Sequence, residues 1–214
     1  MFEPLVFPAA EGPGRFTEVA SFRKSDVPAE EFSTRVDSIL KDTAQFPIYR
    51  QILKGTQKDD ENTILMVFDW TSAEEKEAFK NDPAMDAVKA KWNGLMDTKS
   101  PLRMNHITLP GPAVTPKVPY YEAAMLRIPL SGQDEFRAAM KIFVDTHEPD
   151  TWIFFCCAAS QEDPEEIIIL CGFDNEARAE VADKSAQHQE VKKTNDPMVQ
   201  GWWKICSYME KFGQ

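Results

Sequence analysis

The chain repeats itself. Slid onto the first half with an offset of 104 residues, the second half places Thr17–Arg23 on Tyr121–Arg127, with Glu18 on Glu122, Ala20 on Ala124 and Arg23 on Arg127. Further on, Phe32, Val36, Ile39 and Leu40 fall on Phe136, Met140, Phe143 and Val144, a spacing that draws one apolar stripe along a helix. The same offset carries Ile48–Leu53 onto Trp152–Cys157, the acidic turn Lys58–Asn62 onto Glu162–Glu166, and the apolar run Thr63–Trp70 onto Ile167–Phe173. Several elements in one order at one offset identify a duplicated unit.

Local signals fill in the unit. Asp26 ahead of Pro28, and Ser131 ahead of Gln133, Asp134 and Glu135, are helix-start signals. Apolar runs joined by short polar turns read as hairpins. In the first copy Thr71-Ser-Ala-Glu-Glu75 is a capping-box start for a helix reaching Asn81-Asp-Pro83; a second helical piece, 84–96, and a strand, 103–109, follow. The second copy has one longer helix, 176–193, its own Asn195-Asp-Pro197, and a closing segment over Trp202–Met209 that reads as a strand, with a helix as its alternative. Leu5–Phe7 is an extra edge strand or a tail. The proline-rich run 109–119 is a linker or strap, since repeated proline suits neither a helix interior nor a central strand. The expected organisation is a tail at 1–15, one unit at 16–109, a linker at 110–119 and a second unit at 120–214.

The order β-α-β-β-α-β predicts a four-stranded antiparallel sheet with helices on one face. Thr63–Trp70 and Ile167–Phe173 are apolar at nearly every position rather than at alternate ones, so both faces of each sheet need cover. Helices cover one face and the partner sheet the other. The fold class is therefore α+β, two tandem ferredoxin-like units packed sheet on sheet.

A net charge of −11 over 214 residues argues against nucleic-acid and anionic-membrane partners. The first residues lack a basic, apolar leader pattern, and no run approaches the ~20 apolar residues of a membrane helix. A cytoplasmic monomer or homodimer is expected. The four cysteines, Cys156, Cys157, Cys171 and Cys206, form no C-x-x-C pair and read as reduced thiols, with Cys156 and Cys157 on opposite strand faces. Metal-ligand spacings, dinucleotide and P-loop glycine patterns and the G-x-S-x-G elbow are absent, so neither metal nor cofactor is expected.

The strand-helix-hairpin-helix pattern, the hairpin strand ending Phe68-Asp-Trp70 and the helix following Ser72 resemble the dimeric α+β barrel superfamily, in particular its antibiotic-biosynthesis monooxygenase-like branch, in tandem form. The resemblance implies a fused barrel. It also implies a range of activities: cofactor-independent oxygenases, haem-degrading enzymes, lactone isomerases and polyketide cyclases.

Candidate chemistry is sparse. His106 lies on the strand 103–109, sharing a face with Met104 and Thr108, and is the natural general base. Its alternative is a structural imidazole bonded to a backbone carbonyl. Tyr49 and Arg50, on opposite faces of the second strand, are candidate stabilisers of negative charge. Trp70, Trp92 and Tyr49 could wall an aromatic pocket with His106. Glu18, like Glu122, sits on a covered strand, where burial raises a carboxyl pKa. His188 falls on the stripe Ala177, Val181, His188, Val191 and could face a pocket; His147, at a helix end, reads as structural. The resulting reading is an enzyme for a small hydrophobic, phenolic or polyketide-like molecule, with its site in the first copy. Its rivals are a non-enzymatic small-ligand or haem-binding protein and a stress-associated protein whose barrel is only core.

Overall fold

The computed structural model describes residues 2–8, 14–111, 115–146 and 152–212. His147 and positions 112–114 of the proline-rich run lie outside them. Strand β1 (Leu5–Phe7) precedes the first repeat: β2 (Arg15–Arg23), α1 (Ala29–Thr43), β3 (Tyr49–Gln57), β4 (Asp60–Trp70), α2 (Ala73–Lys80), α3 (Pro83–Lys91) and β5 (Arg103–Leu109). The second repeat holds β6 (Tyr120–Arg127), α4 (Gln133–Thr146), β7 (Phe154–Ala159), β8 (Glu166–Phe173), α5 (Glu176–Lys184), α6 (Ala186–Asn195) and β9 (Gly201–Phe212).

The nine strands form one antiparallel sheet ordered β1-β7-β8-β6-β9-β3-β4-β2-β5. Within it, β5-β2-β4-β3 and β9-β6-β8-β7 are two ferredoxin-like sheets of identical connectivity. The buried stripes of α1 and α4 are the residues that the repeat aligns, Phe32, Val36, Ile39 and Leu40 against Phe136, Met140, Phe143 and Val144. Leu5–Phe7 is indeed an edge strand, antiparallel to β7.

Both faces of each sheet are covered. Along β4, Ile64, Met66, Phe68 and Trp70 lie under the first repeat's helices, while Leu65 and Val67 face inward. Inward residues of both repeats, among them Val19, Leu53 and Ile107 with Tyr121, Ile168 and Ile205, form one shared interior. Cys156 belongs to that interior and Cys157 to the core under the second repeat's helices, so the adjacent thiols do point opposite ways; all four cysteines are free. The interior also holds a polar knot. Asp69 accepts from Thr17 Oγ1 at 2.7 Å, Thr115 Oγ1 at 2.9 Å and Thr115 N at 2.5 Å, and Gln51 Nε2 donates to Thr115 O at 2.7 Å. The chain entering the second repeat is thereby tied into the barrel. Burial pushes the Asp69 carboxyl up, against the pull of these donors.

Several local expectations are corrected. Pro28 itself holds the N-cap position of α1 and supplies no side-chain cap; Ser131 lies in a short 3₁₀ turn, Leu130–Gly132, before α4. The expected helix 176–193 is two helices, because Ser185 takes an extended ψ of 146° and caps α6 through His188 N. The ladder also slips at Arg50. Tyr49 faces Trp70 but Gln51 faces Asp69, so Arg50 is a bulged extra residue. Beyond it the repeats align at 103 rather than 104: Leu53↔Val67 corresponds to Cys157's neighbour Cys156↔Leu170. Gln51, not Arg50, therefore corresponds to Phe154.

Two seams join the repeats. At the first, β3 and β9 pair from Ile52↔Phe212 to Gln57↔Ser207. Gly55 sits there with Met209, and a Cβ on it would lie 2.0 Å from Ser207 Oγ and 2.7 Å from Tyr208 O. At the second, β7 already pairs with β1 and β8, and β5 is stapled by the turn after β7. Gln161 N donates to His106 O at 2.9 Å, Ser160 Oγ to Asn105 Oδ1 at 2.8 Å, and His106 N to Glu162 Oε2 at 2.9 Å. The imidazole closes the staple, bonding Glu162 through Nδ1 and Glu18 through Nε2, the latter at 2.9 Å.

Substituting Gly55→Ala should destabilise the protein by about 1–3 kcal/mol, the usual cost of overpacking a fitted site. Urea unfolding checks this, and an unchanged midpoint would show that the seam yields. The second staple should be pH-dependent. Burial works against the His106 imidazolium, but Glu18 and Glu162 outweigh it and its pKa is raised. Its contribution is thus fully present below about 6.5, the unfolded imidazole value, and is lost as pH rises through the raised folded value. Burial opposes the Glu162 carboxylate too, yet bonds from His106 and Ser160 hold its pKa below the usual range, so its contribution is lost only as pH falls through that lowered value. The Tm difference between wild type and His106→Gln should therefore be larger at pH 6 than at pH 9. An equal gap at both values would remove the charged imidazole from the seam.

Candidate functional site

In the first repeat aromatic side chains pack between helices and sheet. The Phe16 ring stacks on His106 with centroids 5.4 Å apart, and Tyr49 lies 4.3 Å from Trp70 and 6.3 Å from Phe79. Lys76 of α2 stands 5.8 Å over Trp70 and 4.0 Å from Glu18. Burial and the Glu18 charge push the Tyr49 hydroxyl far up. The structure thus gathers Glu18, His106, Tyr49 and Trp70. It does not bring Trp92 or Arg50 to them. Trp92 meets Phe22 edge-on at 5.7 Å, four residues along β2 from Glu18, which is roughly 13 Å of strand. Arg50 donates to Thr71 O at 3.0 Å.

A cavity of about 740 Å³ lies in the second repeat, between its sheet and α4, α5 and α6. Phe136, Phe143, Trp152, Phe155 and Phe173 wall it, and its polar lining includes Glu122, Asp183, His188, Asn195 and Lys204, with Lys192 and Asp196 beside them. Strand register explains the space. Glu18 has Phe68 and His106 on its two sides; the corresponding Glu122 has Cys171 and Cys206. Two thiols replace a phenyl and an imidazole. The helix break at Ser185 leaves Val181 exposed at 66%, while His188 and Val191 line the cavity, so the expected four-residue stripe is only half realised.

The polar groups form a chain. Lys204 Nζ is 2.9 Å from Glu122 Oε1 and 2.9 Å from Asp183 Oδ2; His188 Nε2 is 3.8 Å from Asp183 Oδ1. Cys206 Sγ donates to Glu122 Oε1 at 3.5 Å. Burial raises the Glu122 carboxyl, with Lys204 pulling it partly back. For Lys204, burial opposes the ammonium, but Glu122 and Asp183 win and keep it charged. Burial and the neighbouring Glu122 push the Cys206 thiol up to about 12, so it stays protonated. Burial lowers His188 below 6.5 despite Asp183, leaving a neutral imidazole at pH 7. Its ring stands edge-on to Phe143 at 5.8 Å. An aromatic cavity with a neutral base and a charged ammonium, both touching Asp183, can accept a proton at one place and hold negative charge at another.

Of the residues the sequence singled out, His188 and Glu122 line this cavity. Glu122 was visible through its match to Glu18. Alternation along Trp202-Trp-Lys-Ile-Cys206 puts Trp202, Lys204 and Cys206 on one face, which was a readable signal for Lys204. Asp183 and Asn195 carry no comparable mark, because their place depends on the break at Ser185.

No protein-family model matches the sequence, and no curated protein matches it significantly. Solved structures do share its shape. A proposed monooxygenase from Fusobacterium nucleatum superposes with a TM-score of 0.70 at 10% identity, covering 93% of this chain and 94% of its own. An anthrone oxidase-like protein gives 0.65 at 12% identity over 98% and 95%. A proposed chlorite dismutase gives 0.60 at 12% identity over 92% and 95%. At such identities the likeness is one of fold: the chain has the dimeric α+β barrel fold, with both halves in one polypeptide.

Proposed function

We propose that this protein is an oxygenase-like enzyme whose site is the second-repeat cavity, acting on a small, apolar, weakly acidic aromatic molecule. The carrying observation is the neutral His188 beside the Lys204–Asp183 pair on the wall of an aromatic cavity. The fold neighbours described as monooxygenase and anthrone oxidase-like support the oxidative reading. His188 Nε2 removes a proton from an activated ring methylene. The Lys204 ammonium faces the enolate oxygen that results. Dioxygen is the oxidant: the carbanion carbon forms a bond to one oxygen atom while the other takes the proton held by His188, giving a hydroperoxide; His188 then removes the remaining ring hydrogen, the O–O bond breaks as the ketone forms, and hydroxide leaves. The carbon loses four electrons and dioxygen gains four, so ring methylene plus O₂ balances ketone plus H₂O. The proton on His188 returns to the departing oxygen. The first-repeat assignment of His106, Tyr49 and Arg50 gives way here, because His106 is engaged at the barrel seam.

Haem was the rival occupant, and His188 would be the residue to hold its iron. The remaining lining suits it poorly. Two propionates need two unpaired cations, whereas Lys204 is held between Glu122 and Asp183 and only Lys192 is left at the rim. Titration with haem should give no saturable Soret band.

With anthrone as substrate, oxygen uptake and quinone formation should run one to one. His188→Gln should lose about 10²–10⁴-fold in kcat, the usual worth of a general base. Because the base must be unprotonated and burial lowers its pKa, kcat/KM should fall only on the acid side of 6.5. Asp183→Asn removes a group that favours the imidazolium and should move that limb to lower pH. An acid limb that survives His188→Gln would take the base role away from His188.

A further inference from the structure

We propose that the second-repeat cavity selects a ligand that is uncharged when it binds and that donates a hydrogen bond to Asn195 Oδ1. This rests on the cavity being the ligand site, as in the reading above, and goes beyond it in naming what the ligand must carry.

Asn195 closes α6, is 6% exposed and lines the cavity. Its Nδ2 donates to Met140 Sδ at 3.4 Å, while Oδ1 is buried and accepts no hydrogen bond among the described residues. Turning the amide end for end does not help, because the oxygen would then face a thioether with no proton to give. Nearly all buried acceptors in folded proteins find a donor. Because Asn195 lines the cavity, a ligand hydroxyl reaching its amide from there would supply the missing donor. The role is particular to this repeat. In the first, the matching tripeptide Asn81-Asp-Pro83 only starts a helix, with Asp82 capping α3.

Charge supplies the second half of the selection. The lining carries three carboxyl groups, Glu122, Asp183 and Asp196, against two ammonium groups, Lys192 and Lys204. Lys204 is already shared by two carboxylates, and Lys192 stands exposed at the rim. A carboxylate ligand would bring an uncompensated charge beside Glu122 and Asp183, and like-charge juxtaposition is a strong ground for rejection. A neutral ligand brings none. When His188 takes its proton, the new anion and the new imidazolium arise together and the total stays unchanged.

Three ligands of one ring size separate these elements: 2-naphthol, its methyl ether and 2-naphthoate, titrated calorimetrically at pH 7 into wild type, Asn195→Leu and Asp183→Asn. In wild type 2-naphthol should bind about tenfold more tightly than the ether, the scale of one buried hydrogen bond. Naphthoate should bind weakest. Asn195→Leu should bring naphthol and ether within about twofold, and Asp183→Asn should strengthen naphthoate about tenfold. The wild-type ranking needs no variant and decides the matter if one of them misfolds. An ether equal to naphthol, a preference unchanged in Asn195→Leu, naphthoate binding best, or no binding by any of the three would overturn the inference. The predicted ranking without turnover of anthrone would uphold it and remove the oxygenase reading; turnover with no preference would do the reverse.

Discussion

Each half of this chain makes a sheet that is apolar on both faces, and burying the second face is the constraint on which the rest depends. On β4 the outward residues Ile64, Met66, Phe68 and Trp70 are covered by helices of the same repeat. Leu65 and Val67 point the other way and are buried in one interior cluster that includes Cys156, Ile168 and Leu170 of the other repeat. Neither sheet can satisfy itself, so the two coil around one core. The seams follow. One is an ordinary ladder, β3 on β9, with Gly55 allowing close approach. The other cannot be, since β1 occupies the edge of β7, and side chains take over the work of hydrogen bonds between strands. His106 on β5 supplies one of these side-chain bonds.

Once the interior is shared, the freedom left to each repeat is the space under its own helices. The first repeat fills it with Phe16, Tyr49, Phe68, Trp70 and Phe79. The second places small side chains, Ala124, Ala182, Cys171 and Cys206, at the sheet and helix surface and breaks its long helix at Ser185. Volume that one repeat spends on packing is left open in the other. Large-to-small changes inside a core are normally destabilising. Here the opening is lined by aromatic walls and a connected polar chain.

The fold was legible because its two carriers are periodic. The apolar stripes of α1 and α4 and the unbroken apolar runs of β4 and β8 depend on spacing alone, and the structure buries the same residues that the spacing marks. What was illegible is single-residue or long-range. An extra residue at Arg50 shifts the alignment by one, yet apolar strands tolerate either register on paper, so Gln51 was matched to the wrong partner. Ser185 sits in a sequence of good helix formers, and only its capping of His188 N reveals the break. The contact of Glu162 with His106 spans 56 residues and both repeats. No local pattern encodes it.

The matched acids Glu18 and Glu122 show how one inherited position can lie at a joint in one repeat and on a cavity wall in the other. Each is largely buried, and a buried carboxylate needs a cationic or donating partner. In the first repeat that partner is His106, directly opposite on the neighbouring strand. A rigid imidazole must stand beside the acid to reach it, and so it fills the space there. In the second repeat the partner is Lys204, opposite Ala124 rather than Glu122. Its four-carbon stem reaches the acid diagonally, so the place directly opposite needs only a thiol, Cys206. Meeting the acid from a distance preserves its compensation and leaves room over the sheet. The ammonium then borders a cavity with Asp183 and, through it, His188. The choice of a flexible cation over a rigid one is thus what lets the same buried carboxylate form part of a wall instead of part of a seam.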